Sequence, residues 1–189
     1  IKTPISVDTY KSAVATEALK AGASMVNDIW GLKFDPVIAS VASQFNAPLV
    51  LMHNQEDSKY NDLLPDIIDS LTSSIAIAIN LGVSQDKIIV DPGIGFGKSP
   101  DHNLEILKRL NEIASIGYPV LIGTSRKSTI GHILDLPVDQ RQEGTAATVA
   151  LSIAGGANIV RVHDVKEMVL TTRMCDAILK DWRPLGWKN

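Results

Sequence analysis

Three short segments carry side chains that could do chemistry together. The first is Asp91-Pro92-Gly93-Ile94-Gly95-Phe96-Gly97-Lys98-Ser99. Its glycines at alternate positions predict a loop whose backbone takes positive φ or approaches a ligand closely. It is not a Walker loop, because the first glycine that motif requires falls on Pro92. It is not the dinucleotide fingerprint either, whose last glycine comes one residue later. Asp91 closes an apolar run of Ile88, Ile89 and Val90. Its carboxylate either braces the loop or offers two acceptor oxygens to a guanidine-like edge of amino and ring N–H groups. The second segment, Gly123-Thr124-Ser125-Arg126-Lys127-Ser128, follows the run Val120-Leu121-Ile122. Arg126 reads as a solvated cation. Lys127, facing the same space as Asp91, would donate to a ring carbonyl or nitrogen, or act as a Schiff-base nucleophile if its pKa fell.

The third segment is Ile159-Val160-Arg161-Val162-His163-Asp164. Strand alternation sets Arg161 and His163 on one face and the two valines on the other. With the valines toward outer helices, Arg161 and His163 point inward. A buried guanidinium is costly alone, so either an anion or a carboxylate such as Asp8 is expected beside it. Asp8 and Asn27 are weaker signals, since either could simply cap the helix that follows. Met52 closes an apolar strand with His53 and reads as packing unless a flat ring lies against it. His102 and His132 read as surface residues, and no histidine spacing resembles a metal site.

These residues need elements to place them. Short apolar runs at 5–7, 24–29, 48–53, 87–91, 119–123 and 157–163 read as strands. Helical patterns at 11–21, 36–45, 63–81, 102–116, 143–155 and 165–181 alternate with them. Gly22, Gly82 and Gly117 suit the left-handed residue after a helix, and Ser99 or Asp101 the start of one. Strand–helix alternation without hairpin signals means a parallel sheet wrapped by helices. An open doubly wound sheet and a (β/α)8 barrel both fit that pattern. Nearly every strand ends on a polar residue: Asp8, Asn27 with Asp28, His53, Asp91, Thr124 with Ser125, and Arg161 with His163. A barrel gathers all its strand ends at one mouth, so the expected class is α/β, a TIM (β/α)8 barrel with about six βα units in this chain.

Composition narrows the function. The 189 residues are 45% hydrophobic and 21% charged, a globular balance with room for one well-buried domain. A net charge of -3 gives no footprint for nucleic acid, and no apolar run nears the roughly 20 residues of a membrane span. The single Cys175 fits a reducing compartment, and a cytoplasmic location is expected.

Together the motifs resemble the dihydropteroate synthase family. The matching stretches run in the family's order through Ile5 to Thr9, Asn27-Asp28-Ile29, Leu51-Met52-His53, Asp91 to Lys98, Ser125 to Ser128 and Arg161 to Asp164. The Asp91 and Ser125 motifs are the specific ones. The resemblance implies condensation of 6-hydroxymethyl-7,8-dihydropterin pyrophosphate with p-aminobenzoate to give 7,8-dihydropteroate. It implies that Asp8, Asn27, Asp91, Gly95, Gly123 and Lys127 hold the pterin, with Ile29 and Met52 on its faces. Phe96 and Ser128 would border p-aminobenzoate, and Arg161 and His163 would bind pyrophosphate. Catalysis would rest on Asp91, Lys127, Arg161 and His163. The resemblance further implies Mg2+, held by a loop preceding this sequence, and a homodimer through the late helices.

The family's first two βα units have no counterpart in this sequence. Residues 1–189 are therefore expected to be one pterin-binding barrel domain, incomplete at its N-terminal side and inactive without the rest. After His53 the run Asn54-Gln55-Glu56-Asp57 departs from the family's Met-His-Met pattern. Three rivals remain: a methyltetrahydrofolate-binding methyltransferase-like barrel, an aldolase using Lys127, and a non-catalytic pterin-binding fragment. The first needs no cationic clamp at Arg161 and His163. The second would be trapped by borohydride with a carbonyl substrate.

Overall fold

The structure, a computed structural model, describes residues 2–187. Six strands and eight α-helices alternate through them: β1 (Ser6–Asp8), α1 (Ser12–Lys20), β2 (Met25–Asp28), α2 (Val37–Gln44), β3 (Leu49–Met52), α3 (Leu63–Asn80), β4 (Ile88–Asp91), α4 (Pro100–Lys108), α5 (Leu110–Ala114), β5 (Leu121–Ile122), α6 (Ser128–Leu134), α7 (Gln142–Ala154), β6 (Ile159–Val160) and α8 (Val165–Leu179). All pairings are parallel and follow chain order. Strands β1 to β4 form one sheet, a bridge from Val90 to Val120 continues it, and β5 pairs with β6. This is six successive units of a TIM (β/α)8 barrel. No ladder joins β6 to β1 among the described residues.

Side-chain alternation splits the apolar residues into two layers. Val26, Leu49, Leu51, Ile88, Val90, Val120 and Ile122 face outward and share one core with the helices. Val50, Ile89 and Leu121, with Met25 and Ile159 against them, form a separate inner cluster. That cluster is the barrel's floor. Two residues further along the same strands, the inward positions become Asn27, Met52, Asp91, Gly123 and Arg161, with Asp8 opposite Asn27 in register. The period of two that buries the floor therefore lifts the polar residues to the mouth.

The helices sit close to their expected bounds, with two differences. The pattern read as one helix over 102–116 breaks at Arg109, whose φ of -112° separates α4 from α5. Helix α6 has no counterpart in the sequence reading; it is seven residues long, and its apolar Ile133 and Leu134 are exposed, so it carries no clear amphipathic signal. Ser99 caps α4 as anticipated, and His102 completes the capping box instead of lying free on the surface. Helix α3, 18 residues with mean hydropathy 1.2, comes nearer membrane-spanning length and composition than the reading allowed. Its apolar face, including Leu64, Ile67 and Leu71, is buried in the outer core.

Candidate active site

The strand ends open into a cavity of about 330 Å³ lined by Met52, Asp91, Phe96, Gly123, Ser125, Lys127, Arg161 and His163 among others. Asp91 ends β4 and is 5% exposed. Burial pushes its carboxyl up to about 6, against the pull of the Gly93 N–H at 2.7 Å and the charges of Lys127, Lys98 and Arg161. Asp91 therefore both braces the glycine loop and faces the cavity. The loop-bracing contact offered as one alternative in the sequence is present. Burial also lowers the pKa of Lys127, partly opposed by Asp91. The Lys127 Nζ lies 4.4 Å from the centre of the Phe96 ring, a cation–π contact that spans the cavity's edge.

The glycine loop is shaped by what leans on it. At Gly95, φ is +82°, and a Cβ there would stand 3.2 Å from Cδ of Lys127. The close approach predicted for this loop is to the lysine stem. The Gly95 N–H donates to Asn103 Oδ1 at 2.9 Å, and Asn103 Nδ2 donates to Thr129 Oγ1 at 2.9 Å. Asn103 on α4 thus ties the loop to α6. Lys98 turns back beneath the loop, donating to the Phe96 carbonyl at 2.9 Å and reaching His53 Nδ1 at 2.9 Å. Burial brings Lys98 down to about 7. His53 falls to about 3, first through burial and then through the positive charge of Lys98. A histidine so placed stays neutral and accepts a hydrogen bond from the lysine through Nδ1.

A second polar chain runs along the open side. Asn27 Nδ2 donates to Asp8 Oδ1 at 2.6 Å, and Arg161 Nη2 donates to Asp8 Oδ2 at 2.6 Å. Asn27 is 4% exposed, and its Oδ1 has no hydrogen-bond partner among the described residues. Val160 and Val162 pack against the α7–α8 cluster, as alternation required. Arg161 differs from expectation in one respect: its side chain is 57% exposed rather than buried. The reason is geometric, since β6 has a neighbour on one side only among the described residues. Arg161 has taken the carboxylate partner, Asp8, that the sequence offered as the alternative to an anion. An exposed pair of this kind is worth about 0–1 kcal/mol, so an incoming anion can recruit the guanidinium at little cost.

Some expected residues lie apart. Ile29 is half-buried one residue beyond β2 and does not line the cavity. Ser128 begins α6, is exposed, and borders a different hollow beside Arg141. Arg126 is not a solvated cation: its Nε donates to Asp164 Oδ2 at 3.0 Å, and its Nη2 donates to Asp164 Oδ1. Arg141 braces the same loop through the carbonyls of Arg126 and Lys127 at 3.0 and 3.3 Å. Sequence reasoning gave no role to Lys98, Asn103 or Arg141. Of these only Lys98 lay inside a singled-out motif. Among the described residues, no group of three His, Cys, Asp or Glu side chains could hold a metal ion. Asp8 and Asp91 are already engaged by cations and N–H groups, so these residues do not fit Mg2+.

Comparison with known proteins adds context to this geometry. A family described as "Pterin binding enzyme" matches residues 1–163. Dihydropteroate synthase of Bacillus subtilis is 56% identical over 176 residues, covering 93% of this chain and 62% of that protein. The Clostridium beijerinckii dihydropteroate synthase is 49% identical, covering 94% and 66%. A crystal structure of a Clostridium difficile dihydropteroate synthase in the presence of pteroic acid superposes with a TM-score of 0.93 at 50% identity, covering 95% of this chain and 68% of that one. The chain thus spans about 62% of the Bacillus relative's length.

Proposed function

The chain belongs to the pterin binding enzyme family, and we propose that it serves a dihydropteroate synthase, with residues 1–189 forming one pterin-binding domain of a longer protein. The reaction would join 6-hydroxymethyl-7,8-dihydropterin pyrophosphate to p-aminobenzoate and release pyrophosphate. The observation that carries this reading is the mixed charge of one cavity. The buried carboxylate of Asp91 lines it together with the cationic Lys127 and Arg161 and with His163.

In this reading ionised Asp91 accepts the amino and ring N–H groups of the pterin. The buried Asn27 Oδ1 takes a further N–H, and Lys127 donates to the ring carbonyl or nitrogen. Met52 packs on the ring face and Gly123 leaves room for its edge. The C–O bond to pyrophosphate breaks first, and a cation develops on the pterin. Asp91 and Asp8 stabilise that cation, while Arg161 and His163 stabilise the departing diphosphate. The neutral arylamine, seated against Phe96, then attacks the methylene carbon and loses its proton to solvent.

The stripe of Leu170, Met174 and Ile178 on α8, exposed at spacings of four, supports a homodimer through the late helices. A cytoplasmic location accords with the reduced Cys175. The test is a coupled assay for 7,8-dihydropteroate formation by the longer protein. Arg161→Ala and Lys127→Ala should each abolish most turnover. Near-normal kcat/KM in either variant refutes the assignment.

A further inference from the structure

We propose that Ser125 is a positioning residue that holds neutral His163 as its Nε2–H tautomer, so that the imidazole presents an N–H donor to an anion in either protonation state. Ser125 lies just beyond β5 and is 6% exposed. Its Oγ is 2.8 Å from His163 Nδ1 and accepts the backbone N–H of His163 at 3.1 Å. A hydroxyl has one proton and two lone pairs. The backbone N–H occupies a lone pair, and Oγ has no other hydrogen-bond partner among the described residues. Its proton therefore goes to Nδ1, and the imidazole's own hydrogen sits on Nε2, on the far side of the ring from the serine.

The opposite tautomer is disfavoured twice. It would leave the proton of a buried hydroxyl without an acceptor. It would also turn a bare lone pair, rather than an N–H, toward the space shared with Arg161. The tether is fixed from both ends, because Arg126, next to Ser125, forks onto Asp164, next to His163. The loops after β5 and β6 are thereby locked together across the side of the cavity that carries the cations.

The functional half of this inference rests on reading Arg161 and His163 as the diphosphate subsite; the tautomer does not. The test is long-range 1H–15N correlation on the full chain with 15N-labelled histidine at about pH 8.5, two units above the ordinary histidine pKa of about 6.5. The His163 signal is assigned by its loss in His163→Gln. A pyridine-type Nδ1 with a pyrrole-type Nε2 is expected, with tautomer averaging in Ser125→Ala. The same variant should bind inorganic pyrophosphate about tenfold more weakly. Ser125→Thr, which keeps the hydroxyl, should restore both. A pyrrole-type Nδ1 in the wild type, or an unchanged pattern in Ser125→Ala, overturns the proposal. The wild-type spectrum decides the first point even if the variant does not fold. Absence of pyrophosphate binding alongside the expected spectra overturns the diphosphate reading and leaves the Ser125–His163 pairing standing.

Discussion

At Asp91, burial works against the stability of the ionised fold. Its pKa of 3.8 is raised to about 6, chiefly by burial. The folded state thus prefers the protonated acid, while the unfolded chain ionises near pH 4. Below that pH both states hold the proton and the group contributes nothing. As pH climbs from about 4 past 6 the unfolded chain releases its proton first, so stability falls and then levels. A rise from 3.8 to about 6 corresponds to about 3 kcal/mol at neutral pH. Asp91→Asn, which keeps an acceptor for the Gly93 N–H, should therefore stabilise the fold at pH 7 by up to about 3 kcal/mol and do nothing at pH 3.5. Urea unfolding at the two pH values checks this. A variant destabilised at pH 7 would show that the carboxylate is a structural ion after all. The identity of Asp91 was legible in the sequence, because a polar residue ended an apolar strand. Its burial was not, because the loops that close around a strand end are not set by the strand's own pattern.

At the level of elements, one regularity does most of the placing. Strand alternation alone predicted that Arg161 and His163 oppose Val160 and Val162, and the valines do pack outward. The same parity brought Asn27, Met52, Asp91 and Gly123 to one mouth from strands far apart in sequence. The helix-borne support was not legible. Asn103 reads as an ordinary helix residue, yet at 2% exposure it holds both the Gly95 N–H and the Thr129 hydroxyl. Asn103→Ala should leave those two groups unpartnered and cost roughly 2–3 kcal/mol, while loosening the seat of Lys127. A chemical denaturation series measures the first effect, and a cost below about 0.5 kcal/mol would remove Asn103 from the account. The outward placement of Ser128 was not legible for a related reason. Helix α6 starts immediately after Lys127 and turns the serine outward, and a helix without an apolar stripe gave no warning of that turn.

For the whole molecule, the exposed surface carries the remaining information. The barrel's strands run from β1 to β6 with no ladder between the two ends among the described residues, and the Asp8–Arg161 pair stands at that opening. Strand order and class followed from the alternation of elements; the exposure of Arg161 did not, since it depends on β6 having a neighbour on one side only among the described residues. On the helices that flank β6, Leu151 of α7 and Leu170, Met174 and Ile178 of α8 stay exposed. If this flank is the dimer interface, Leu170→Glu with Ile178→Glu should convert a dimer to a monomer in sedimentation velocity. An unchanged sedimentation coefficient would dismiss the late helices as the contact. The central claim concerns the mouth itself, and calorimetric titration of this chain with 6-hydroxymethyl-7,8-dihydropterin pyrophosphate at pH 8 tests it most directly. The account predicts saturable binding at a single site, lost in Asp91→Asn. In Arg161→Ala, binding should be weakened for the diphosphate but not for the bare hydroxymethyl pterin. Equal affinity in wild type and Asp91→Asn, or no binding by the wild type, would contradict it.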